Sequence, residues 1–186
     1  MTVQLTKRRF TVSEYHQMAH VGILTEDDRV ELIDGEIVVM TPIGHRHAAS
    51  VNRCNRLLSR CVEDAAVVSI QNPVRLDEHN EPQPDVALLR PRPDFYASGH
   101  PTPADVLLII EVADTSVEAD RQVKLPLYAR GGIPEAWLVD LQLDVITIYR
   151  DPTPDGYRTS WTVGRGEWIA PLAFPKCTIA VTDILG

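Results

Sequence analysis

Apolar residues recur along this chain with two periods, and the switches between them mark out its elements. From Thr11 to Ile23, Tyr15, Met18 and Ala19 share one face at helical spacing, behind Thr11 and Ser13 as capping candidates, so this segment reads as a first helix. Two apolar runs between Arg29 and Met40 flank Asp34-Gly35, the pattern of two antiparallel strands joined by a tight turn. Thr41-Pro42-Ile43-Gly44 breaks the chain. A second helix follows from about His45 to Asp64, with Ala48, Val51, Leu58 and Val62 as buried positions. Val67 to Pro73 reads as a strand, Val74 to Pro82 as polar turns, and Asp85 to Leu89 as another strand. The proline-rich stretch from Arg90 to Ala104 predicts an exposed loop. Asp105 to Ala113 is the most apolar run, the pattern of a central strand. Thr115-Ser116-Val117-Glu118 is a capping-box sequence that opens a third helix, which ends at Gly131-Gly132 with a kink at Pro126. Ala136 to Asp140 and Val145 to Arg150 form a strand pair, and the tail from Tyr157 to Leu185 adds short strands around Trp161 and Trp168. Neither an internal repeat nor a low-complexity segment is present. This order predicts an α/β protein with a mixed central sheet flanked by helices.

Composition fits that picture. The 186 residues read as a single domain over 1–186, 44% hydrophobic and 24% charged, as in ordinary globular proteins. The chain has no apolar run of membrane-spanning length. Met1 to Phe10 carries Lys7, Arg8 and Arg9 without a following apolar core, so neither a membrane segment nor a secretory signal is expected. Cys54, Cys61 and Cys177 form no CxxC pair. Cys54 and Cys61 lie one heptad apart on the second helix, about 10 Å along its axis, too far for a bridge. Free thiols in the cytoplasm are the expectation. The formal net charge of −8 opposes long-range attraction to a polyanion, so a nucleic-acid substrate requires local basic groups or bound cations.

Carboxylates at two strand ends carry the candidate chemistry. Asp85 opens one apolar strand and Glu111 sits near the end of another, where burial penalises a charge unless a partner is supplied. Lys124 follows on the next helix, and Asp120 precedes it by one turn on the same face, with Tyr128 one turn beyond. Two acids and a lysine suit a Mg²⁺ or Mn²⁺ site for phosphodiester hydrolysis. Asp85 and Glu111 would be the metal ligands, the Val112 carbonyl could complete the shell, and Lys124 would orient water or stabilise phosphoryl charge. Taken alone, Asp120 and Lys124 at this spacing are more often a surface ion pair. Glu31 is either a further site carboxylate or the solvent side of an alternating strand. His47 either contacts a phosphate or lies on the surface at a helix start. Arg46, Arg53 and Arg60 recur at heptad spacing with Arg56 nearby, a stripe that either follows a phosphate backbone or faces solvent. His16 and His20 have the i, i+4 spacing of zinc ligands but no accompanying motif, and His45 and His47 do not share a helical face, so neither pair argues for zinc.

At these residues the chain resembles the PD-(D/E)XK nuclease superfamily, through Pro84-Asp85 and Glu111-Val112-Ala113, and more closely its Uma-type family of restriction endonucleases. The matching segments are Glu31-Leu32-Ile33-Asp34-Gly35-Glu36-Ile37, His47 ahead of a helix, Gln83-Pro84-Asp85-Val86, Ile109-Ile110-Glu111-Val112, Asp120 with Lys124 and Tyr128, and Gly131-Gly132-Ile133-Pro134-Glu135-Ala136-Trp137-Leu138-Val139-Asp140. The resemblance implies a restriction-endonuclease-like fold, Mg²⁺-dependent cleavage of DNA and a homodimer. Under it, Glu31, Asp85, Glu111 and Lys124 are the catalytic set. Ala113 stands where the ExK lysine would be, and Lys124 on the next helix takes its place. Asp114 replaces the usual serine, either as an extra ligand or as a disturbance, and Ala136 replaces the usual aromatic. The alternatives are a catalytically silent member that keeps the fold for binding or dimerisation, and a metal phosphohydrolase acting on a small phosphate ester.

Overall fold

In the computed structural model, which describes residues 7–25, 27–114 and 117–186, Thr11 caps helix α1 (Val12–His20). Its hydroxyl accepts from the Glu14 N–H at 3.2 Å, and the Glu14 carboxylate accepts from the Thr11 N–H at 2.9 Å. Two N–H groups that a helix start leaves open are thereby satisfied. Strands β1 (Val30–Ile33) and β2 (Glu36–Val39) form the expected hairpin. Asp34 and Gly35 take φ of 48° and 72°, the left-handed geometry of a two-residue hairpin turn. The hairpin is a sheet of its own, joined to the segment just ahead of Asp85 by a bridge between Leu32 and Glu81.

Helix α2 (His45–Val62) buries Val51, Cys54, Leu58 and Val62, spaced by three and four residues. The main sheet then collects six strands in chain order: β3 (Val67–Ile70), β4 (Val86–Leu89), β5 (Val106–Ala113), β6 (Glu135–Asp140), β7 (Val145–Thr153) and β8 (Gly156–Gly164). Only β5 and β6 run parallel, so only they need a crossover connection.

Strand alternation decides which residues meet. Val86 and Leu88 of β4, Leu108, Ile110 and Val112 of β5, and Trp137 and Val139 of β6 pack in one core with α2. Ala87 and Leu89, Ile109 and Ala113, and Ala136 and Leu138 point to the other face. Glu111 alternates with Ile109 and Ala113 on that second face, and Asp85 immediately precedes β4 beside it. The crossover covers it, as α3 (Val117–Ala119), a π-helical turn (Asp120–Lys124) and α4 (Leu125–Arg130). The capping residues Thr115 and Ser116 lie outside the described residues. In place of a kink at Pro126 the helix carries this widened turn. Proline has no N–H to return to the carbonyl four residues back, so the turn ahead of it is free to open.

The tail departs from expectation. β8 is a nine-residue strand paired along its length with β7. β9 (Trp168–Ile169) and β10 (Ile179–Ala180) pair separately, and a short helix α5 (Val181–Leu185) ends the chain against α2, where Ser50 Oγ donates to the Ile184 carbonyl at 3.1 Å. A disulfide joins Cys61 to Cys177, with Cα atoms 5.5 Å apart, correcting the expectation of three free thiols. The partners are 116 positions apart, so spacing could not reveal them. Cys54 is a buried thiol. Among the described residues no helix is long and apolar enough to cross a membrane.

Candidate active site

Antiparallel register brings the two strand-end acids together. Val86 sits opposite Ile110, so Asp85, one residue earlier, lies beside Glu111, one residue later. Both line a cleft of about 330 Å³ with Glu31, Lys124, His47, Asp114 and Asp120. The π-helical turn turns both Asp120 and Lys124 toward it. The Lys124 ammonium lies 3.2 Å from Glu31 Oε2 and 3.5 Å from Glu111 Oε1. Its side chain is 14% exposed, which excludes the surface ion pair that the Asp120–Lys124 spacing also allowed. Glu31 is buried, not on the solvent side of its strand, and its Oε2 accepts from the Gln83 N–H at 3.1 Å.

Asp85 is held by three groups. The Val112 N–H donates to its Oδ2 at 2.9 Å, Gln71 Nε2 donates to Oδ1 at 3.2 Å, and His47 Nε2 lies 2.9 Å from Oδ2. His47 is therefore a cleft residue, not a surface histidine, and its buried Nδ1 has no hydrogen-bond partner among the described residues. The hydrogen bond to Asp85 raises the His47 pKa against the opposing effect of burial. Tyr128 donates its hydroxyl to Glu111 Oε1. Asp114 sits at the rim, 3.4 Å from Arg46 Nη1. Asp120 is buried in the cleft wall.

The charges do not balance. Glu31, Asp85, Glu111, Asp114 and Asp120 line the cleft, against Arg29 and Lys124. Burial pushes the Glu111 carboxyl well above the carboxylate range; Lys124 opposes this, and Asp120 and Asp85 add to it. Burial alone would lower Lys124, but Glu111, Glu31, Asp120 and Asp85 outweigh it and raise it. A buried carboxyl crowded by like charges, with oxygen donors around it, is the environment a hard divalent cation fits. Asp85 and Glu111 are the two carboxylates that the strand register sets side by side in this cleft.

The arginine stripe divides. Arg46 Nη2 donates to the Leu141 carbonyl, and Arg53 Nη1 donates to the Leu185 carbonyl at 3.2 Å. Arg56 and Arg60 are exposed. His16 pairs not with His20 but with Glu81, at 2.6 Å. Sequence reasoning gave no role to Gln71 or Arg29. Gln71 sits just past β3 at a φ of 50°, and no hydropathy pattern marks such a residue.

The family model described as "Uma2: Putative restriction endonuclease" matches residues 12–182. A solved structure described as "a putative nuclease belonging to DUF820 from Anabaena variabilis ATCC 29413" shares the fold, with a TM-score of 0.72 at 16% identity over 95% of this chain and 97% of that one. No curated protein matches the chain.

Proposed function

We propose that this chain, which belongs to the Uma2 family, is a divalent-metal-dependent endonuclease that hydrolyses DNA phosphodiester bonds. The observation that carries this reading is the Lys124 ammonium lodged between Glu31 and Glu111, at 3.2 and 3.5 Å, in the cleft that Asp85 also lines. Asp85 and Glu111 would hold Mg²⁺ or Mn²⁺, which when bound supplies charge neutralisation on the phosphoryl oxygens and an acidified water. Lys124 is placed to donate to the attacking water or to a phosphoryl oxygen, where a preorganised cation acts without reorganising. Tyr128 fixes the orientation of Glu111, and Gln71 with the Val112 N–H fixes that of Asp85. His47 Nε2 holds Asp85 from the α2 side of the cleft. Arg56 and Arg60 are the exposed cations of α2 available to phosphates, and the family resemblance extends the reading to a homodimer.

Nicking of supercoiled plasmid in Mg²⁺ or Mn²⁺ tests this. Wild type should cut, while Glu111→Gln, Asp85→Asn and Lys124→Ala should each lose at least about a hundredfold in rate with folded circular-dichroism spectra. Cutting that persists in all three would overturn the assignment. A second reading, a silent nuclease fold that only binds, is favoured by the net charge of −8 and by the internal use of Arg46 and Arg53. It predicts no cutting by the wild type, and salt-dependent DNA binding then separates a silent DNA binder from a fold kept for dimerisation.

A further inference from the structure

A second cluster of metal-ligating side chains lies outside the catalytic cleft. His16 on α1, Glu81 at the Leu32 bridge and His100 in the proline-rich loop offer one donor atom each, all within 4.8 Å of one another. None of the three lines the cleft. We propose that they form a separate site for a transition-metal dication of the Zn²⁺ class.

Three observations support it. The donor set, two imidazoles and a carboxylate, suits zinc with one position open to solvent, and suits Mg²⁺ poorly. Glu81 is the anchor. Its side chain is 2% exposed, its Oε1 lies 2.6 Å from His16 Nε2, and its Oε2 is buried with no hydrogen-bond partner among the described residues. A plain histidine–glutamate hydrogen bond satisfies only one of these oxygens and gives no role to His100, whose ring lies edge-on to that of His16 with centroids 5.9 Å apart. Third, access is open. His16 also lines a surface depression with Val12, Ser13, Gln17, His20 and Arg75.

Two ligands of a tetrahedral ion with bonds near 2.1 Å lie about 3.4 Å apart. The His16–Glu81 contact must therefore widen by under an ångström, and the proton shared there is released when the metal enters. The bound ion would tie α1, the segment before β4 and the 90–104 loop together. It would act as a staple on the fold, independent of the nuclease chemistry.

The test is Zn²⁺ titration by calorimetry of the metal-stripped full chain carrying Asp85→Asn and Glu111→Gln, which removes the catalytic donors. One equivalent of Zn²⁺ should bind, raise the melting temperature, and resist displacement by excess Mg²⁺. His16→Ala and His100→Ala, both on exposed side chains, should each abolish that equivalent, while His20→Ala should retain it. Co²⁺ in place of Zn²⁺ should show the intense visible absorption of a low-coordinate site. Absence of zinc binding, or binding unchanged in His16→Ala and His100→Ala, would overturn the site.

Discussion

Tyr128 is wholly buried, and its hydroxyl reaches Glu111 from the helix that also carries Lys124. Burial raises its own pKa well above the phenolic range, and the charge of Glu111 adds to that, so it serves as a donor at any working pH. Tyr128→Phe keeps the packing and removes that donor. Nicking rate and Mn²⁺ affinity should fall about 10- to 100-fold with the fold intact. A phenylalanine variant that cuts at the wild-type rate would leave the tyrosine without a positioning role. Cys54 poses a different residue-scale question. Burial pushes its thiol from 9.0 up to about 12, Asp85 adding to the shift. The neutral thiol is favoured in the folded state, so its contribution to stability is complete below pH 9 and is lost as pH rises from 9 toward 12. Relative to Cys54→Ala, the unfolding free energy of wild type should therefore drop between pH 8 and pH 11, by about 2.5 kcal/mol, in paired urea melts. An unchanged difference between the two proteins across that range would contradict a desolvated thiol. At this scale the sequence was legible where chemistry opposed pattern: Asp85 and Glu111 interrupt apolar runs, and that conflict marks them. Gln71 opposes nothing and stayed invisible.

Among the elements, the β1–β2 hairpin does more than its size suggests, because Glu31 rides on it. Its turn is docked on the chain ahead of α1 and on the segment between β3 and β4: the Phe10 N–H donates to the Gly35 carbonyl at 2.8 Å, and the Gly35 N–H donates to the His79 carbonyl at 2.9 Å. A Cβ at Gly35 would meet Arg9 Cβ at 2.6 Å and the Phe10 carbonyl oxygen at 3.0 Å, at a φ of +72°. Gly35→Ala should thus destabilise the protein by roughly 2 kcal/mol or more, through strain and backbone contact together. It should also slow nicking by displacing Glu31 from Lys124. Thermal melts read the first effect and plasmid assays the second; a melting temperature equal to wild type would refute the docking argument. The hairpin, α2 and the strands from β3 to β7 were legible because amphipathic periods and Asp-Gly punctuation are local signals. The π-helical turn was not. Its cause is local, at Pro126, but whether a proline kinks a helix or widens it depends on what the turn packs against. The arginine stripe shows the same limit: the spacing put Arg46 and Arg53 on α2, and the carbonyls of Leu141 and Leu185 that engage them come from segments far along the chain.

For the molecule as a whole, the unreadable part was long-range closure. α5 and the segment before it fold back on α2, where Ser50, Arg53 and Cys61 receive them. A five-residue helix has too little periodicity to announce itself, and a disulfide partner 116 positions away leaves no trace in spacing. The bond closes a loop that contains all six strands of the main sheet. Constraining an unfolded chain over a loop of 116 residues has a ceiling near 5 kcal/mol, and native disulfides commonly contribute about 2–4 kcal/mol. Cys61→Ala with Cys177→Ala, or reductant on wild type, should lower the unfolding free energy by about that amount. Neither sulfur lies in the cleft, so nicking at low temperature should stay within about twofold of wild type. Thiol titration separates the possible failures. Under denaturant the oxidised chain should expose one thiol, that of Cys54, and the reduced chain all three cysteines. Three thiols without reductant would mean that the tail is held by packing alone, and the stability of wild type would then be insensitive to reductant.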